Sequence, residues 1–481
     1  MKKLRKSISI GLNKLAKRLY NAADKGRRGR DFRNAKSTSA NTEIAKSLSD
    51  LRNRSRDMVR NNGWAKRAVE AVVKHTIGEG IRPAPYGNKS QNKKVKALWK
   101  EWAETTACDF YGKANFYGLQ EQAMRGIVEG GDVIIILRWT GDYEDGKLPI
   151  KLQLCEGDLI DHTKVGKNEQ GYANLGVQYS DNGELLGYWL WNAHPGEVGS
   201  FGLPFMKSEF VPKSDVLHCF EILRPGQSRG VPFGVAAFTK LADLNGFEDA
   251  HLFRQRMAAN FCVFVERADD GENEDDDDFT YLEPGAIIKL KYGETVTIPN
   301  TPSVGDYDNY VTRILQGVSS AYGLTYEMLA TDYSRVNFTS GRMAKIDVVN
   351  NFKSWQYNMI MPQMLDPIWE WFINACILTG GLAERIATDW TAPKLAMLDP
   401  ARETKARIEA VRGGLTTLSE VIREDGREIG EFLEEYKQDA EMLAKYGLSL
   451  NSVAPLVQNT QNSPASSDKT DNNVVELKQT T

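Results

Sequence analysis

Histidine and cysteine are scarce in this 481-residue chain, with five of each, and their spacing excludes more than their number does. Cys108, Cys155, Cys219, Cys262 and Cys376 are never closer than 43 residues, so no zinc or redox pair is written in them. Buried free thiols in a reducing compartment are the expectation. His75, His162, His194, His218 and His251 never stand at i and i+4, and no HExxH occurs, so neither a metal site nor a cofactor is expected. Long apolar runs are missing too. The longest aliphatic stretch, 133–137, is closed by Asp132 and Arg138, far short of the ~20 residues of a membrane-spanning helix. No membrane partner is expected. Lys14, Lys17 and Arg18 interrupt any secretion-type stretch behind Met1, so export by that route is not expected either.

What is present is core material and an uneven charge. Hydrophobic residues make up 41%, ten are Trp, and 26% are charged, enough for two to four structural units that still face water. Residues 1–60 carry +13, and the remainder carries −16. A basic arm on an acidic body suits an arm that meets an anionic partner and a body that does not grip DNA tightly.

Periodicity divides the chain. Ile44, Leu48, Leu51, Met58 and Val59, then Trp64, Ala68, Val69, Val72 and Val73, recur at helical steps around a break at Asn61-Asn62-Gly63. Helices near 92–106 and 116–130 precede a β-branched run at 133–139 that reads as a buried strand. Further strands are expected at 149–154, 176–179, 185–191 and 216–220. A helix over 233–259 and another over 306–323 bracket an insert with short strands and an acidic run, 268–278, in which eight of eleven residues are acidic. A third helix, 340–378, contains Pro362 and Pro367, which should kink or interrupt it. Charged helical sequence follows from 399 to 446, and the tail beyond Val457 is polar.

Two short motifs suggest chemistry. Gly226-Gln227-Ser228-Arg229-Gly230 fits G-x-S-x-G between a strand and a helix, the setting of a nucleophile elbow. The one histidine after Ser228 is His251, about 27 Å along the departing helix at 1.5 Å per residue, too far to act as its base. Residues 141–148 have phosphate-loop spacing, but Leu148 replaces the magnesium-binding hydroxyl and three acids occupy the loop. A hairpin turn is expected there, and any ATP-driven motor must be a different protein. The acidic run lacks the spaced ligands of a calcium loop.

Other segments carry a resemblance. Residues 60–68 (RNNGWAKRA), 78–83 (GEGIRP), 224–232 (RPGQSRGVP), 282–285 with 292–294, 326–329, 336–340, 415–417 with Glu420, and 424–427 resemble, in order and spacing, the lambda family of tailed-bacteriophage portal proteins. The likeness covers about 42–446. It implies an α+β portal-type fold with an α/β wing, helical stem, small α/β clip and helical crown, assembling as a ring of usually twelve subunits at one capsid vertex. Implied boundaries are a basic arm (1–41), wing (42–231), stem helices (232–261 and 306–323), clip (262–305), tunnel loop (324–340), kinked helix and wing return (341–392), crown (393–450) and polar tail (451–481). The implied partners are double-stranded DNA held without sequence preference, a terminase large subunit, head-completion or adaptor proteins, and a major capsid or scaffold protein. The implied location is the virion, with the host cytoplasm during assembly, and no catalytic residue is implied.

On that basis Thr331, Asp332, Tyr333, Ser334, Arg335, Val336 and Asn337 are expected to form the channel loop, with Asp332 and Arg335 offsetting each other's charge. Asp308, Asn309, Arg313, Gln316 and Ser320 are expected to line the channel wall, the apolar side of the same helix packing on neighbouring subunits. Asp275, Asp276, Asp277 and Asp278 are expected to face the packaging motor. The competing functions are a serine hydrolase using Ser228 and a nucleic-acid-binding protein using its basic arm.

Overall fold

Asn62 decides how the described chain starts. Its backbone ends helix α1 (Ala40–Asn61), and its side chain caps helix α2 (Gly63–Ile77) by accepting from the Trp64 and Ala65 amides at 2.9 and 3.0 Å. The structure, a computed structural model, describes residues 36–140, 148–197, 206–259, 264–267, 294–297, 307–393, 399–427 and 429–446. The chain divides into two units after Gly426.

Helix α2 is the centre of the first unit. Ala65, Ala68, Val69, Val72, Val73 and Ile77 are fully buried, because small and β-branched side chains let neighbours approach from several sides. Strand β1 (Arg82–Tyr86) leads to helices α3 (Lys89–Ala103) and α4 (Phe116–Gly130). Trp99 of α3 meets Phe116 edge-on at a centroid distance of 5.1 Å, and Trp102 donates its indole N–H to the Ile150 carbonyl at 3.0 Å. Aromatic burial of this kind contributes about 1.5–3 kcal/mol per side chain.

Strand β2 (Asp132–Trp139) is central in a three-stranded antiparallel sheet, between β3 (Ile150–Glu156) and what becomes β9 (Val216–Phe220). Its unbroken β-branched run is explained by burial on both faces. Val133, Ile135 and Leu137 join the main core, while Ile134 and Ile136 join a second cluster with Val177, Tyr188 and Leu190. That second cluster comes from a five-stranded meander, β4 (Gly166–Asn168), β5 (Gly171–Asn174), β6 (Val177–Tyr179), β7 (Leu185–Trp191) and β8 (Ser208–Pro212). Trp139 pairs with Ile150, so β2 and β3 form the expected hairpin; residues 141–147 between them lie outside the described residues.

A 3₁₀ turn (Phe233–Ala237) opens helix α5 (Phe238–Ala259). Strands β10 (Phe264–Arg267) and β11 (Glu294–Thr297) pair antiparallel, and helix α6 (Tyr307–Ala321) returns. The rest of the insert, including Asp275, Asp276, Asp277 and Asp278, lies outside the described residues. Where a loop is expected over 324–340, a short helix α7 (Tyr326–Ala330) intervenes, capped by Thr325, so the non-helical residues are 324–325 and 331–337.

The expected kink takes an unexpected form. Helix α8 (Phe338–Trp355) widens into a π-helix (Gln356–Leu365) that contains Pro362, then resumes as α9 (Asp366–Leu378) with Pro367 in its first turn. Pro362 has no amide to donate, and the wider winding absorbs that loss without a break. The π stretch also serves the sheet: Gln363 Oε1 accepts from the Phe220 amide at 2.9 Å, at the end of β9. Strand β12 (Ala387–Thr391) then pairs with β1, which the sequence reading missed because Pro83 and Pro85 hide it. Helices α10 (Pro400–Arg412) and α11 (Leu418–Glu424) end the unit.

The described part of the second unit is helix α12 (Ile429–Lys445) with its approach, where Arg427 lies 4.9 Å above the Phe432 ring. Leu433, Tyr436 and Met442 are exposed on it.

Candidate functional site

Helix α6 has two unlike sides. Leu315 and Val318 are buried, and they carry the helix onto the 3₁₀ turn and α5, with Phe247 and Tyr310 rings 4.3 Å apart. Part of the apolar side expected to meet neighbouring subunits is thus used in the chain's own core, while Tyr307 and Tyr310, 38% and 42% exposed, remain open on it. On the other side Asp308, Asn309, Arg313 and Ser320 are exposed and Gln316 is half-buried. Arg313 donates to Gln316 Oε1 at 3.0 Å. Lys240 of α5, which sequence reasoning did not single out, crosses α6 at Gly317, where a Cβ would stand 2.7 Å from its Nζ.

The segment after α7 is anchored at both ends by its backbone. Thr331 takes a left-handed conformation, φ 54°, and its amide donates to the Glu327 carbonyl at 2.8 Å. Asn337 caps α8 reciprocally with Ser340, accepting from its amide at 2.8 Å and donating its own amide to the Ser340 hydroxyl at 3.2 Å. Between these anchors Tyr333, Ser334 and Arg335 are exposed and Val336 is half-buried.

The two sets of residues meet through one contact, Arg335 Nη2 to Asp308 Oδ2 at 2.6 Å. Arg335 still lowers the charge cost of Asp332, but its direct contact is with Asp308. Asp332 is occupied inside its own turn: Oδ1 accepts from the Ser334 amide at 3.0 Å, and Oδ2 accepts from the Tyr326 hydroxyl at 3.4 Å. Hydrogen bonds from Ser334, more than Arg335, hold its carboxyl below the usual range. A turn-forming Asp prefers its own downstream amide, which leaves the arginine to find a carboxylate elsewhere.

The serine motif is a structural corner. Ser228 is 4% exposed, its hydroxyl accepts from the Tyr179 hydroxyl at 2.9 Å, and its amide donates to Asn41 Oδ1 at 2.8 Å. His251 stands on α5 beside Tyr307. The two glycines have different reasons: Gly226 adopts a left-handed φ of 76° in open space, and a Cβ on Gly230 would lie 2.0 Å from the Gly131 carbonyl oxygen. The corner exists to place Arg229. Its Nε reaches Asp132 Oδ2 at 2.8 Å, joined by Arg52 on Oδ1, His218 Nε2 at 3.1 Å and the Gly230 amide at 3.2 Å. Burial alone would raise the Asp132 pKa, but Arg229 and Arg52, then His218, hold it well below the usual range. No sequence signal short of an alignment links 52, 132, 218 and 229.

Glu156, Asp158 and His194 bring ligand atoms within 4.8 Å of one another, the cluster of that kind found among the described residues. A guanidinium fills the cation's place, with Arg56 Nη2 3.0 Å from Glu156 and 2.6 Å from Asp158. The thiols of Cys108, Cys219 and Cys376 are pushed up to about 12, and that of Cys155 to about 11, by burial, so none is activated. Cys262 lies outside the described residues.

The family described as "Phage portal protein, lambda family" matches residues 25–356. The chain belongs to the lambda family of phage portal proteins. It is similar to the probable portal protein of Halomonas phage phiHAP-1, 23% identical over 438 residues that cover 84% of this chain and 82% of the relative. It is similar also to portal protein B of Escherichia phage lambda, 19% identical over 458 residues covering 81% and 83%. Among solved structures it is similar to a chain in the neck of a native gene transfer agent particle computed with C12 symmetry, at 13% identity and a TM-score of 0.47, covering 76% of this chain and 92% of that one. Portal proteins are structural rather than enzymatic, and nothing in the Ser228 corner supports the hydrolase alternative.

Proposed function

We propose that copies of this portal protein form a ring, twelve to the turn, at one vertex of a capsid, and that duplex DNA passes through its centre during packaging and ejection. In this reading α5 and α6 are the stem, the insert between them is the clip, and 331–337 is the channel loop. The observation that carries the site assignment is the Arg335 to Asp308 contact, which joins the loop to the exposed polar side of α6. Leu252 and Phe253, 47% and 65% exposed on α5, are apolar surface that a second copy would cover.

The partners follow the same reading: Asp275, Asp276, Asp277 and Asp278 meet a basic surface of the terminase large subunit, and head-completion, adaptor and capsid or scaffold proteins bind the outside. The channel itself holds DNA weakly and without base preference, because a body of charge −16 cannot neutralise many phosphates at once. The ring is made in the host cytoplasm and ends in the virion. Electron microscopy of the full-length protein tests this. Rings with a central opening are the expected result, and a protein that stays monomeric at all concentrations would overturn it.

A further inference from the structure

Arg335 and Asp308 make an unusual kind of tether. They touch through one nitrogen and one oxygen, 62% and 79% exposed, and the remaining N–H donors of Arg335 have no protein partner among the described residues. The pair also works at a distance. Asp308 sits in the first turn of α6, thirteen residues before Ala321, or about 20 Å along the axis at 1.5 Å per residue. The loop is thus drawn back along the helix it follows.

The other contacts of the loop are local. Thr331 and Asn337 fix its ends through capping bonds, Val336 N–H donates to the Tyr333 carbonyl at 3.2 Å, and Asp332 serves Ser334 and Tyr326. Between loop and α6, the Arg335 pair is the side-chain contact that the described residues show.

We propose that Arg335 is an exchangeable phosphate site: the phosphodiester of a duplex replaces the Asp308 carboxylate on the guanidinium, and the loop is released from α6 when it does. The inference rests on the channel reading above and names the ligand of that site. A solvent-exposed carboxylate holds an arginine only weakly. A phosphodiester, like a carboxylate, offers two anionic oxygens, and the guanidinium is shaped to take them bidentately. The exchange also limits its own strength. Asp308, once vacated, competes to take the guanidinium back, so the contact forms without trapping a moving duplex. Arg313, the arginine of α6 on this side, is already engaged with Gln316.

The test uses the full-length protein, amide hydrogen exchange over 331–337, and anisotropy of a short fluorescent duplex of mixed sequence at low salt. Asp308→Asn should raise loop exchange roughly two- to fivefold, the change that loss of one exposed pair allows, and tighten duplex binding by a similar factor. Arg335→Gln should raise exchange equally and weaken binding. The double variant should bind like Arg335→Gln alone, because the gain from removing Asp308 acts through Arg335. Unchanged exchange and binding in Asp308→Asn, or an equal gain in the presence of Arg335→Gln, would overturn the proposal. Rings that form normally while these readouts stay flat sink the exchange alone; failure to form rings, with the loop response intact, sinks the channel reading instead.

Discussion

Two arginine–aspartate contacts in this protein use the same chemistry to opposite ends. Arg229 and Asp132 have fully buried side chains, and the carboxylate is surrounded by a second guanidinium, an imidazole and a backbone amide. Arg335 and Asp308 are exposed and meet end to end. In a low dielectric the first pair cannot be opened without stranding charge, so it ties α1, β2, β9 and the 226–230 corner into one rigid body. In water the second opens at little cost, and a competing anion can take one partner. Surroundings, not residue type, decide which contact is a fixture and which is a switch.

The comparison can be broken most forcefully at Asp132. Asp132→Asn keeps the shape but leaves Arg52 and Arg229 buried without their carboxylate, and chemical denaturation should show a loss of about 3–5 kcal/mol. Acid should reach the same hub in two stages. Burial, against the pull of Asp132, holds the His218 pKa below its ordinary 6.5. Its contribution to stability is therefore complete above about that value and declines as the pH falls and the unfolded chain takes up the proton first. Asp132, held well below 3.8, adds a steeper loss once the pH drops under that value. A thermal melt followed from neutral pH downward checks both, and Asp132→Asn should flatten the lower stage. Asp308→Asn, by contrast, should leave the melting temperature alone and change only the loop. Ser228→Ala should change neither the loop nor the assembly. Losing the Tyr179 hydrogen bond costs about 1 kcal/mol, and ring formation should persist unchanged.

The helices and the central hairpin were legible because their periods are strong: β2 is a buried β-branched run, and α2 and α6 keep apolar residues at helical steps. Strand β1 was not, since two prolines mask an edge strand whose partner lies three hundred residues later. Within the candidate site, the loop and the wall helix were expected from composition and resemblance, but the contact between Arg335 and Asp308 was not foreseen. Asp332 is the nearest carboxylate to Arg335 in sequence and Asp308 is nearest in space, a difference that only the backward course of the loop creates. The G-x-S-x-G corner misleads for a related reason. A turn that brings a buried arginine to a strand needs the same glycines as one that presents a nucleophile.

The most direct test of the central claim is to locate Arg335 in the assembled protein by electron cryomicroscopy. The account requires a ring whose central opening is lined by Arg335 and Asp308 from every subunit, with Phe253 covered by a neighbour. A ring that carries Arg335 on its outer rim, or an assembly without a central opening, would contradict it.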